Sequence, residues 1–319
     1  MLADYQSSFL QLPAPAVLYV ITCIFSLLLC ISVLVYIISH YQQRAFSELK
    51  SRIKTFWIIT ILLALSLLMS PPWAIGFWAI ISYLALKEYF TLIPTRPIDR
   101  RVLFWVYLAI PLQYYWIATS WYGMFAIFIP VYVFLFLPLR MVTLGETKGF
   151  LRAVGTLHWG TMMMVYCMSY IAALYMLPQN TNPNGGAAGL ILYLLFLNQL
   201  NDAAQFFWGK NFGKHKIVPT VSPNKTAEGF IGGGATTVIV ALLLAPYITP
   251  FSHKDAFLVG LIIAIAGFIG DVIMSALKRD IGVKDTGQLL PGHGGLLDRI
   301  DSLLFTTPLY FHFIRYFYT

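Results

Sequence analysis

Residues 256–277 read AFLVGLIIAIAGFIGDVIMSAL. One charge, Asp271, interrupts an apolar run long enough to cross the roughly 30 Å hydrocarbon core of a bilayer as an α-helix rising about 1.5 Å per residue. Within lipid a lone segment satisfies its backbone only as a helix. Working outward, comparable runs occupy 15–39, 56–70, 72–91, 102–119, 123–139, 154–177, 187–208, 229–250 and 302–317. The second ends at Pro71-Pro72, which suits a tight turn. The last is interrupted by Pro308, His312 and Arg315. The reading is an all-α, polytopic integral membrane helical bundle of about ten transmembrane helices, with eight as the lower bound.

Composition agrees. The chain has 319 residues, 59% hydrophobic and 11% charged, whereas soluble domains average about 45–50% apolar and about 25% charged. An ordinary soluble protein and a disordered chain are both excluded. Cys23, Cys30 and Cys167 lie in apolar runs with no CxxC spacing and read as packing residues. The N-terminus lacks the basic region of a signal peptide, and its first apolar run has the length of a span. A net charge of +8 would suggest nucleic acid in a soluble protein. Here 19 of 21 Lys and Arg fall in 40–55, 87–101, 140–153, 209–228 and 278–301, which share one side if every run crosses. Basic loops mark the cytoplasmic side, so the expected partner is the bilayer and no nucleic acid is expected.

Two regions follow. Residues 1–153 read as N-terminal transmembrane helices, with an aromatic belt that includes Trp57, Trp73 and Trp105 and a surface open to lipid or to a homodimer. Tyr83, Lys87 and Glu88 could line a site, but a lysine snorkelling from a cytoplasmic helix end explains them more simply. Residues 154–319 read as a C-terminal catalytic region with cytoplasmic loops 209–228 and 278–301.

Eight of the 13 acids lie between 202 and 301. Asp202 and Asp271 fall inside apolar runs, where a carboxylate costs about 2.5–3.5 kcal/mol at mid-bilayer and is functional by default. The competing reading is an ion pair that locks helices. Asp271, Ser275 and Lys278 share one helix face, and Asn198, Asp202 and Gln205 share another. Two adjacent spans could aim these stripes at one cavity. The segment GKNFGKHKIVPTVSPNKTAEGFIGGG (209–234) sets lysines among glycines, Ser222, Asn224 and Thr226, which suits a phosphate. Anionic lipid explains its lysines about as well. Ser222-Pro223 followed by Glu228 also has the pattern of a helix start. Residues 270–302 combine five acids, four bases, His293 and several glycines. Asp298 and Asp301, at i and i+3, offer hard oxygens for Mg²⁺ beside Lys and Arg for phosphates. That mixture suits metal-dependent nucleotidyl transfer.

At these residues the chain resembles the phosphatidate cytidylyltransferase family, the CDP-diacylglycerol synthases. The signature runs through Ser275, Lys278, Arg279, Lys284, Asp285, Gly287, Pro291, His293, Gly294, Gly295, Asp298, Arg299 and Asp301, and every fixed position matches. An upstream block, Asn201-Asp202, Gly209-Lys210, Phe212-Gly213-Lys214, Ser222-Pro223, Lys225-Thr226 and Glu228-Gly229, is similar too. The likeness covers about 195–305. Gln205-Phe206 stands where the family commonly has Ala-Tyr.

The resemblance implies transfer of CMP from CTP to phosphatidate, giving CDP-diacylglycerol and pyrophosphate for phospholipid biosynthesis. It implies Mg²⁺ and leaves a second, monovalent cation open. It assigns catalysis to Asp202, Asp271, Lys278, Asp285, Asp298 and Asp301, with Asp271, Asp298 and Asp301 on the metal. Lys225, Lys278, Arg279, Lys284 and Arg299 would contact substrate phosphates with Ser222 in support, and His293 the nucleotide or pyrophosphate. Asp202 would hold the second cation or position the phosphatidate. A bacterial inner membrane with the site facing the cytoplasm is expected. The alternatives are another lipid phosphate as acceptor, a catalytically inert relative, and a transporter, which would spread its ionisable groups through the bilayer.

Overall fold

The computed structural model describes residues 8–42, 47–283, 286–287 and 294–319. Lys284, Asp285 and His293 lie outside the described residues. The described elements are helical, with only isolated β-bridges such as Leu10 with Met69.

Helix α1 spans Pro15–Gln42, α2 Ser47–Leu68 and α3 Pro71–Leu92. The Pro71-Pro72 pair opens α3, where missing N–H groups cost nothing. Helix α4 covers Arg100–Ala118. Helices α5 (Tyr122–Ile127) and α6 (Phe134–Val142) are joined by a π-helical turn, Phe128–Val133. A second π-helical turn, Thr161–Cys167, joins α7 (Phe150–Gly160) to α8 (Met168–Ala173). Long helices α9 (Gly186–Phe212), α10 (Ala227–Ile248) and α11 (His253–Asp280) follow, then the short α12 (Leu297–Ile300) and α13 (Leu303–Tyr318).

The expected count of about ten spans, with eight as the lower bound, is corrected. Among the described residues five helical segments are long and apolar enough to cross a membrane: Pro15–Ser39, Tyr122–Val142, Gly186–Phe212, Ala227–Ile248 and His253–Asp280. The apolar part of α2, Ile53–Leu68, is only 16 residues long. Lys87, Glu88 and several Trp and Tyr lower the hydropathy of α3, and Arg100, Arg101 and Gln113 do so in α4. Thr156, His158, Thr161, Ser169 and several Tyr lower the hydropathy of 154–177, and α13 has 16 residues. An apolar run therefore overcounts spans, because it registers neither scattered polar side chains nor helix length. The all-α, membrane-embedded character stands.

One apolar core joins Val17 of α1 to Ile314 of α13. Helix α10 packs most extensively on α9, and α11 on both. Lipid is as apolar as leucine, so close backbone approach and polar contacts must supply the specificity. At Gly233 a Cβ would lie 2.7 Å from the Gln205 backbone nitrogen. At Gly229 it would lie 2.8 Å from the Gln205 carbonyl oxygen. Gly229, Gly232 and Gly233 thus let α10 close on α9. Buried Asn201 ties the seam, its Oδ1 accepting from Thr237 Oγ1 and Gln205 Nε2, each at 3.1 Å.

Candidate active site

The loop between α9 and α10 folds back on itself. Ile217 N–H donates to the Lys225 carbonyl at 3.1 Å and Ala227 N–H to the His215 carbonyl at 2.9 Å. The start of α10 is not at Ser222-Pro223. Thr226 is the cap, its Oγ1 accepting from Gly229 N–H at 3.1 Å. Ser222 stays in the preceding turn, where its carbonyl accepts the Lys225 N–H at 3.2 Å. Glu228 accepts from the Lys214 and His215 backbones, so it braces the loop.

This fold carries Lys225 inward. Its ammonium pairs with Asp271 and reaches Gln205 Oε1 at 3.4 Å. The two stripes read from the sequence therefore meet, and Lys225 joins them. On α11, Ser275 Oγ donates to Asp271 at 3.4 Å, while Lys278 pairs with Asp298 at 2.9 Å. On α9, Asp202 Oδ2 accepts from Ser302 Oγ at 2.8 Å, and Asn198 donates to the same hydroxyl at 2.7 Å. Among the described residues, Asp202 Oδ1 is buried without a hydrogen-bond partner.

Asp298 and Asp301 do different work although they are three residues apart. Asp298 Oδ2 accepts the backbone N–H and hydroxyl of Thr286, each at 2.9 Å, and Gly295 N–H at 3.1 Å. Burial alone would raise its carboxyl, but Lys278 and these donors outweigh it and hold it below the usual range. Asp301 is 8% exposed and accepts Ser302 N–H at 2.9 Å. Burial, then the charges of Asp271 and Asp202, push its carboxyl well above the usual range. The charges of Asp202 and Asp271 therefore bear on Asp301.

Arg279 is exposed, and its Nε donates to the Val221 carbonyl at 3.3 Å. Arg299 is half-buried on α12. Lys284, Asp285 and His293 are outside the described residues.

Among the described residues no three His, Cys, Asp or Glu form a ready-made metal cage. The donor set nevertheless fits a hard divalent cation. Asp202 Oδ1 lacks a partner, and Asp301 sits in the field of two further carboxylates. Mg²⁺ usually takes one or two carboxylates and completes its shell with water and substrate phosphates. Asp298 is the least available of the three expected metal carboxylates, because both its oxygens are engaged.

Sequence reasoning missed several participants. Thr286 and Ser302 each follow a motif aspartate, and a hydroxyl next to a motif carboxylate was the available signal. Asn201 was read only as part of the upstream block and Thr237 not at all, because their contact joins two helices. Glu88 was weighed and set aside. Its carboxylate, on α3, accepts Leu296 N–H at 2.8 Å and Leu297 N–H at 3.2 Å within the signature segment.

Comparison with known proteins bears on this site. Residues 50–317 match the profile of the cytidylyltransferase family. An uncharacterized Escherichia coli protein, YnbB, is 48% identical over 282 residues, covering 88% of this chain and 92% of that protein. A Staphylococcus aureus phosphatidate cytidylyltransferase is 42% identical over 144 residues, 44% of this chain and 54% of that enzyme. The Staphylococcus haemolyticus enzyme of the same name is 45% identical over 121 residues, 37% of this chain and 46% of that enzyme. The chain thus spans about half the length of the named enzymes it matches.

Proposed function

This chain belongs to the cytidylyltransferase family, and from that premise we propose that it transfers CMP from CTP to phosphatidate, giving CDP-diacylglycerol and pyrophosphate. The observation that carries the reading is the Lys225–Asp271 pair, which joins α11 to the loop before α10, beside the Lys278–Asp298 pair. A transporter has no need of such a mixed cluster at one end of three helices.

The chemistry asks little of a general base. A phosphatidate oxygen, already anionic at neutral pH, attacks the α-phosphorus of CTP. The new P–O bond forms as the α–β bridge breaks, and pyrophosphate leaves with the electron pair. The barrier lies in bringing anions together and in line. Lys225, shared between Asp271 and Gln205, is within reach to trade a carboxylate for a phosphate. Lys278, Arg279, Lys284 and Arg299 add positive charge around the triphosphate, with Ser222 in support and His293 toward the nucleotide or pyrophosphate. Asp285 adds a carboxylate in the same segment. Asp298 holds Lys278 in place.

Bound Mg²⁺ would neutralise developing charge on the phosphates. Asp271 and Asp301 would hold it, with Asp202 offering its free oxygen to the same ion, to a second cation or to the phosphatidate headgroup.

The protein is an integral membrane protein with bacterial relatives. Its site would face the cytoplasm, a reading supported by the lysines at 210, 214, 216, 225 and 278. The proposal includes a second copy bound through the N-terminal helices, with the Leu34 face of α1 left to lipid.

The test uses purified protein in detergent with labelled CTP, Mg²⁺ and phosphatidate. A lipid-soluble CDP product is expected. Product only with another lipid phosphate would move the acceptor, a reading favoured by the half-length match to the named enzymes and by Gln205-Phe206. No product with any lipid phosphate would overturn the proposal.

A further inference from the structure

Three consecutive backbone N–H groups, at Gly295, Leu296 and Leu297, precede the Asp298-Arg299 pair. A turn as tight as this cannot satisfy them all internally, and each buried one left unpaired is costly. Gly295 N–H goes to Asp298, a local contact. The next two go to one carboxylate, Glu88, which reaches across from α3. Gly295 belongs to the same joint. A Cβ there would collide with Glu88 Oε1 and Thr286 Oγ1, so only glycine lets that carboxylate seat beside the turn. From the far side Lys278 of α11 holds Asp298. The turn that presents Asp298, Arg299 and Asp301 is therefore clamped between α3 and α11.

We propose that Glu88 is a positioning residue for nucleotidyl transfer: its carboxylate sets the backbone of 295–297 and thereby the placement of Asp298, Arg299 and Asp301. The assignment rests on the transfer reaction proposed above. It gives the N-terminal half a direct part in the chemistry, through a contact 208 residues apart in sequence. Lys87, its neighbour, is exposed and plays no part in the clamp. Both Glu88 oxygens are taken up by the Leu296 and Leu297 amides. It acts through the turn, so its loss should be felt in kcat more than in lipid binding.

The test compares full-length Glu88→Ala, Glu88→Gln, Gly295→Ala and the Glu88→Ala/Gly295→Ala double variant, purified in detergent. Misplacing a catalytic group by about 1 Å costs about 100-fold. Glu88→Ala should accordingly lower kcat by about 30- to 100-fold, with the KM for phosphatidate within about twofold. Glu88→Gln keeps one acceptor oxygen and should recover part of that loss. Gly295→Ala should lower kcat comparably, and the double variant should be no worse than the poorer single one, because both break one joint. Amide hydrogen exchange supplies a readout independent of turnover. Glu88→Ala should speed exchange at 295–301 by at least about tenfold while α9 and α10 are unchanged. Losses that multiply in the double variant, kcat within twofold of the parent, or unchanged exchange at 295–301 would each overturn the assignment. If Glu88→Ala does not fold, Glu88→Gln and Gly295→Ala decide by the same criteria. An inactive parent protein would count against the transfer reaction instead, and exchange would still judge Glu88.

Discussion

Helices α1 and α9 are both apolar, both long enough to span a bilayer, and nearly equal in length, yet they relate to the rest of the chain in opposite ways. In the most apolar stretch of α1 no residue is buried within the protein, whereas 61% of the corresponding stretch of α9 is buried. Helix α1 shows lipid Leu27, Leu29, Leu34 and Tyr36. Helix α9 carries Asn198, Asn201, Asp202 and Gln205, each in contact with another element or with the helix turn beside it. Hydrophobicity takes a helix into the bilayer but does not tell it where to dock, because lipid and protein interior are equally apolar. Polar side chains and glycines supply the address. In this chain the residues that fix the packing of α9, α10 and α11 are therefore neighbours of the residues proposed to do the chemistry.

Four changes would break or sharpen that contrast. Asp301→Asn should have the largest effect, lowering CDP-lipid formation by about 1,000-fold, because it removes a carboxylate proposed to hold the metal while keeping shape. Its melting midpoint in detergent should not fall, since the change also relieves repulsion with Asp271 and Asp202. A fall in melting that accounts for the lost activity would make Asp301 structural. Lys225→Ala should cost about 100-fold in kcat/KM for CTP, as expected for losing a charge on the transferring phosphates. An unchanged value would return the Lys225–Asp271 pair to the role of a helix lock. Gly233→Val should destabilise the α9–α10 seam by about 1–3 kcal/mol, visible as a lower melting midpoint with activity falling in parallel. Leu34→Ala, on the lipid face of α1, should change melting and turnover least, within about 0.5 kcal/mol. A larger effect at Leu34 would mean that α1 has a protein partner, and cross-linking of a second copy would identify it.

Much of the site was legible as sequence. Asp202 and Asp271 announced themselves because a carboxylate in an apolar run is expensive, and the spacing of Asp271, Ser275 and Lys278 correctly put them on one face. The signature segment stood out by its density of charge and glycine. The span count did not survive. It counted 154–177 by its apolar residues, whereas Thr156, His158, Thr161, Ser169 and Tyr170 lower its mean hydropathy, and it is not among the five helices long and apolar enough to cross. Nor did the helix start at Ser222 survive. The pattern fits a cap there, but the loop must fold back far enough to bring Lys225 to Asp271, and Thr226 caps α10 instead.

What the sequence determined by itself was the class of solvent and the kind of chemistry, because the cost of a charge in lipid and the affinity of hard oxygens and lysines for metal and phosphate are local properties of residue types. Only the tertiary structure decided which charges are partners. Asp298 went to Lys278 and Thr286, Asp301 joined Asp271 and Asp202, and Glu88 of α3 took the amides of Leu296 and Leu297. Those pairings depend on how helices far apart in sequence cross. The crossings are set by glycines and buried amides acting between helices, and a one-dimensional pattern does not record what lies on the facing surface.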